Sequence, residues 1–185
     1  MADIALSTTE SEEELDAGDF LLWALVWSEL AAFGILLCAF LIVGFLQPEA
    51  FASARQHLNV PLAAVNTLVL ITSGWQAALA VRTGATRGQS RRALVLAAVF
   101  GLLFAAIKLY EYAGEAAFAG QAAFADFFEL YFLITGFHLL HVTFGAAVLL
   151  LVAWKPDRAN IILITTLWHV FDLIWILMFP IVYLA

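Results

Sequence analysis

Residues 131–154 read YFLITGFHLLHVTFGAAVLLLVAW, twenty-four residues without an Asp, Glu, Lys or Arg. At about 1.5 Å per residue such a run is roughly 36 Å long as a helix, enough to cross a hydrocarbon core of about 30 Å. A bilayer interior offers the backbone no water, so the segment must satisfy its own amides as a helix. The rest of the chain has the same character. Of its 185 residues, 64% are hydrophobic and 12% charged, with a mean hydropathy of +0.97, which sets it apart from soluble domains. The expected fold is all-α, an integral membrane bundle of five transmembrane helices at about 20–46, 61–81, 92–113, 127–153 and 161–184. Breakers punctuate these spans: LQPEAF ends the first, NVPLAA opens the second with Pro61 in its first turn, RTGATRGQSRR joins second to third, and WKPDRAN joins fourth to fifth. Asp126 is the expected N-cap of the fourth.

Charge is distributed unevenly. Seven of the fifteen acids fall within residues 1–19 with no basic residue among them, which reads as an acidic cytoplasmic tail before a retained first helix. Arg82, Arg87, Arg91 and Arg92 lie in the second connection and Lys155 and Arg158 in the fourth, against Arg55 alone in the first. By the positive-inside rule those two connections face the cytoplasm, which puts the N-terminus inside and the C-terminus outside. The lone Cys38 sits mid-helix, where it reads as a small packing residue. Trp23, Trp27, Trp154, Trp168 and Tyr183 read as interfacial anchors or seam residues.

Against this apolar background stand Glu29, Lys108, Glu111, His138, His141, His169 and Asp172. A charged residue at the bilayer centre costs about 2.5–3.5 kcal/mol on insertion scales, so these side chains are expected to face the bundle and find partners there. Spacings of three and four put them on stripes: His138, His141 and Gly145; Thr165, His169, Asp172 and Ile176; Lys108, Glu111 and Glu115. Lys108 with Glu111 forms an expected intrahelical pair, Gly145 allows a close helix approach beside His141, and Asp172 or Glu29 is expected to meet a histidine. Asp172 is expected to matter more to assembly than Glu115. Three readings are open for this buried polar set: packing that fixes helix register, proton handling or lipid binding, and haem or metal ligation. An i, i+3 histidine pair on one helix cannot supply both axial ligands of one iron. The chain has no phosphate loop, nucleophile elbow or basic aromatic patch for nucleic acid.

The motifs also carry a family resemblance. GFHLLHVTFG in the fourth helix and LWHVFDLIWILMF in the fifth resemble the signature helices of subunit III of the haem-copper oxidases. WSELAAFGILLCAF, NTLVLITSG and IKLYEY resemble the family's preceding helices, in order. The resemblance implies a non-catalytic accessory subunit of the bacterial inner membrane, with no cofactor of its own. Haem with copper or non-haem iron would reside in a partner subunit I, accompanied by subunit II. The roles implied are complex stability, proton uptake and lipid binding. Glu29 would be the family's buried carboxylate, and His138, His141, His169 and Asp172 its interior polar set. Longer members carry two further N-terminal helices that form the other wall of a lipid cleft. The five-helix length and the ending LMFPIVYLA, with Pro180 in the last helix, resemble the subunit-III-like proteins associated with nitric oxide reductases as well as short oxidase subunits. The rival readings are a small proton-coupled transporter using Glu29, His141 and Asp172, and a membrane b-type haem protein.

Overall fold

The computed structural model describes residues 2–185, with side chains from Phe20 onward apart from Leu21. The expected acidic tail at 1–19 lies outside the residues whose side chains are described. Helices run α1 Ala2–Leu46, α2 Pro48–Arg55, α3 Val60–Ala80, α4 Arg87–Ala119, α5 Ala125–Trp154 and α6 Arg158–Phe179, closed by a π-helical turn at Pro180–Leu184. Five stretches are long and apolar enough to cross a membrane: Leu22–Leu46, Val60–Ala80, Arg87–Ala119, Ala122–Trp154 and Arg158–Leu184. The all-helical, five-span class is the one expected.

Local chemistry explains where the elements begin. Asn59 Oδ1 accepts from Leu62 N at 3.1 Å, just ahead of Pro61 in the first turn of α3. Thr86 and Gln89 form a reciprocal capping box, with bonds of 2.8 and 3.3 Å. That box starts α4 at Arg87, so Arg87, Arg91 and Arg92 occupy its first turns and not a loop. At its other end the alanine-rich EAAFA continues the helix to Ala119, well past the 113 expected. Asp157 caps α6 by accepting from Ala159 N at 3.2 Å. Asp126 is not the cap of α5: it lies inside the first turn, Phe124 holds the cap position, and Asp126 Oδ2 accepts from Gln47 Nε2 at 2.7 Å. The short α2 was not foreseen. It begins at Pro48 and turns Phe51 and Ala54 inward.

In space α3 packs on α4 and α6, α5 packs on α4 and α6, and α1 leans on α5 and α6. Arginines tie the connections at one end, where Arg87 Nε reaches Pro156 O at 3.3 Å and Arg158 Nη2 reaches Val81 O at 3.5 Å. At the opposite end Arg55 donates to Val182 O at 3.2 Å and Ile181 O at 3.4 Å, fastening α2 to the C-terminal turn. Partial burial there draws the Arg55 pKa below the usual arginine range, and the group stays charged. Phe40, Phe51 and Phe127 meet edge-on at 5.1–5.7 Å and join α1, α2 and α5.

The core closes on Trp168 of α6, which is fully buried. Its ring lies over Gly101 of α4 and Gly145 of α5, neither of which has a Cβ to obstruct it. Its Nε1 donates to Ser73 Oγ at 3.2 Å, and Ser73 donates on to Ala97 O at 2.6 Å. Gly145 thus admits α6, as a small residue beside His141 was expected to admit a helix. Trp168 is a core residue and not an interfacial anchor. Trp23, Trp27 and Trp154 are largely exposed. Cys38 is exposed and not a buried packing residue.

Candidate functional site

The polar residues occupy four separate places between the helices. In the first, His141 Nε2 lies 3.2 Å from Glu29 Oε2, across α5 and α1. His141 Nδ1 sits 2.7 Å from Phe137 O, and a carbonyl can only accept, so Nδ1 carries a hydrogen. Nε2 faces Glu29 Oε2 at 3.2 Å, and Oε2 has no hydrogen-bond partner among the described residues. Phe33, Phe137 and Phe171 surround the imidazole at 4.4–5.7 Å.

His138, one turn away, goes elsewhere. It is fully buried, stacked on Trp175 at 5.3 Å with Phe104 edge-on at 5.8 Å, and neither ring nitrogen has a hydrogen-bond partner among the described residues. The two histidines therefore diverge, His141 toward α1 and His138 into an aromatic box.

The third place is the densest. Lys108 is fully buried and uses its three donors on Glu111 Oε2 at 3.0 Å, Tyr131 OH at 2.6 Å and Tyr183 OH. Tyr183 OH donates to Glu111 Oε1 at 2.9 Å. Rings of Tyr112, Tyr131, Trp175 and Tyr183 lie 4.7–5.6 Å from the ammonium, adding cation–π attraction. Glu115 is buried beside this cluster without a hydrogen-bond partner, so two carboxylates share one ammonium. Sequence reasoning paired Lys108 with Glu111 but assigned Tyr183 to the membrane interface and passed over Tyr131. The available signal was arithmetic: a buried ammonium has three N–H donors, and Glu111 alone does not account for them.

In the fourth place His169 Nδ1 lies 3.4 Å from Asp172 Oδ2, one turn apart on α6. Asp172 lies over Gly74 of α3, so close that a Cβ there would collide with its carboxylate. No hydrogen bond joins this pair to Glu29 and His141; it is Phe171, on α6 with His169 and Asp172, whose ring stands beside His141 of α5. Among the described residues no three His, Cys, Asp or Glu side chains converge as a metal site would require.

The family model described as cytochrome c oxidase subunit III matches residues 19–185, which takes in every one of these places. The chain belongs to the cytochrome c oxidase subunit III family. It is 31% identical over 169 residues to cytochrome c oxidase subunit 3 of Synechocystis sp., covering 85% of this chain and 71% of that protein. Cytochrome c oxidase subunit 3 of Thermostichus vulcanus is 27% identical over 192 residues, with 97% and 93% covered. A probable quinol oxidase subunit 3 of Staphylococcus aureus is 23% identical over 172 residues, with 88% and 86% covered. As a subunit III family member the chain is a multi-pass membrane subunit of the respiratory oxidase type.

Proposed function

We propose that this chain is the accessory subunit III of an oxygen-reducing haem-copper oxidase, packed against a catalytic subunit I that holds the haems and copper, with subunit II beside it. The match over 19–185 to a family of oxidase subunits carries this reading. The chain contributes no redox centre, and its buried charges serve packing and local proton holding. Glu29 with His141, 3.2 Å apart across α1 and α5, is the pair assigned to proton holding. The five-helix length and the ending LMFPIVYLA also resemble the subunit-III-like proteins associated with nitric oxide reductases, which would favour a partner of that type. That argument loses force because a cytochrome c oxidase subunit 3 is 93% covered by this chain.

The arginine-tied end is placed on the cytoplasmic side and the C-terminal turn on the periplasmic side of a bacterial inner membrane, on the weight of six basic residues against one. Reporter fusions after Thr83 and after Ala185 check this: cytoplasmic activity at the first and periplasmic at the second is expected. The function is tested by affinity purification of the tagged chain in mild detergent from native membranes. A reduced-minus-oxidised spectrum and identification of co-purifying chains are taken from the same sample. Haem arriving with a large multi-helix partner supports the reading. Haem bound stoichiometrically to the chain alone refutes it, and a haem-free chain without partners moves the assignment to a transporter.

A further inference from the structure

Most polar side chains on the outside of the bundle ask nothing of their surroundings. Exposed Ser28, Thr72, Thr143 and Thr166 each donate back to a carbonyl of their own helix at 2.7–2.8 Å. His169 is different. Its side chain is 45% exposed, against 17% for both Glu29 and His141, and it lies eleven residues into α6, about 16 Å from the helix start. Its Nδ1 is turned to Asp172, so Nε2 is left without a hydrogen-bond partner among the described residues. Asp172 is 8% exposed and its Oδ1 is also unpartnered.

These two groups lie in a groove of about 340 Å³ between α3 and α6, walled by Ile71, Trp75, Leu173 and Ile176. Gly74, covered by Asp172, lies at its floor, and the exposed Ala78 also lines it. A lipid tail fits such walls but offers nothing to an imidazole and a carboxylate, and headgroups lie too far off at this depth. With Nδ1 turned to the Asp172 carboxylate, Nε2 and Oδ1 are both acceptors, so a second copy related by a two-fold axis would set acceptor against acceptor. A primary amide carries two N–H donors and so answers Asp172 Oδ1 and His169 Nε2 together.

We propose that this α3/α6 groove seats a transmembrane helix of the catalytic subunit, one presenting a primary amide side chain to His169 and Asp172. The proposal rests on the accessory-subunit reading above. It is tested in the assembled complex in native membranes with a photo-reactive amino acid in place of Leu173, and, as control, of Leu140 on the outer face of α5; both positions are exposed. An adduct with the haem-bearing subunit at least about tenfold stronger from 173 than from 140 is expected. Adducts from 173 to lipid or to a second copy, or a partner adduct from 140 instead, overturn it while the complex itself remains intact in the same sample. If no haem-bearing subunit co-purifies, the accessory reading fails and this inference fails with it. His169→Leu, at an exposed position, is expected to lower the partner retained in detergent about tenfold, equivalent to about 1.4 kcal/mol, more than the modest loss of bundle stability that follows from the missing Asp172 contact. Undiminished retention overturns the polar contact.

Discussion

Replacing Gly101 with alanine tests whether the bundle closes on Trp168. A Cβ at Gly101 would stand 2.6 Å from Cη2 and 2.8 Å from Cζ2 of the indole, where carbon atoms settle at about 3.5–4.0 Å. The ring would have to withdraw by about 1 Å. It cannot do so freely, because its other edge lies over Gly145 and its Nε1 is bonded to Ser73. Overpacking of this kind costs about 1–3 kcal/mol, offset by up to about 1 kcal/mol from the better helix propensity of alanine. Gly34 supplies the control, since a Cβ there meets nothing within 4 Å and the substitution keeps only the propensity gain. Gly101→Ala is therefore expected to be less stable than Gly34→Ala by about 1–3 kcal/mol, a factor of about 5 to 150 in the folding equilibrium. Gly145→Ala falls between them, its Cβ meeting Trp168 and Phe171 at 3.0–3.2 Å. Thermal unfolding in mild detergent, followed by near-ultraviolet circular dichroism, reads the order. Equal midpoints for Gly101→Ala and Gly34→Ala would refute the close packing around Trp168.

Lys108→Met strands Glu111 and Glu115 as buried carboxylates and should cost about 3–5 kcal/mol in the same unfolding assay; adding Glu111→Gln should recover part of the loss. Glu115→Gln should leave stability unchanged or raise it, because it removes the carboxylate in excess over Lys108, whereas Asp172→Ala should lower it modestly through loss of its contact with His169. Ser73→Ala breaks the relay from Trp168 to Ala97 and should cost about 0.6–1 kcal/mol, typical of interhelical hydrogen bonds in membranes. Arg55→Ala frees the carbonyls of Ile181 and Val182, and faster amide hydrogen exchange confined to the C-terminal turn is the expected sign.

The five spans were legible because a bilayer leaves the backbone one economical solution, and a run such as 131–154 has no other use. Boundaries were less so. Leaving Arg87 and Arg91 in a connection underweighted the Thr86–Gln89 box, and ending the third span at 113 ignored the helix propensity of EAAFA. The pairs written within one helix were readable from spacing, as with Lys108 and Glu111 or His169 and Asp172. Pairs between helices depend on rotation, which spacing does not fix. The meeting of Glu29 with a histidine was foreseen, but not that His138 would turn away from His141 toward Trp175. Of Glu115 and Asp172, Glu115 is the more deeply buried, yet it is the carboxylate in excess over Lys108, so Asp172 is still expected to matter more to assembly. Tyrosine was the systematic omission: Tyr131 and Tyr183 look like membrane-interface residues by composition, yet their hydroxyls complete a buried ammonium.

The last helix and its terminal turn contribute to almost every place described. Trp168 closes onto α3, α4 and α5, Trp175 donates to Thr67 Oγ1 at 2.9 Å and covers His138, Phe171 packs on His141, and Tyr183 completes Lys108. Without it, Lys108 would lack one of its three acceptors, Glu111 would lack the tyrosine that donates to Oε1, and Arg55 would lose its carbonyl partners. Each of those groups would then be an unsatisfied polar atom in a medium that cannot solvate it. The penalty for an incomplete bundle thus falls on several sites at once, which makes docking of α6 cooperative and the closed arrangement specific. The same helix carries His169 on its outer face. A partner bound there would meet a surface that exists only once the interior has been completed.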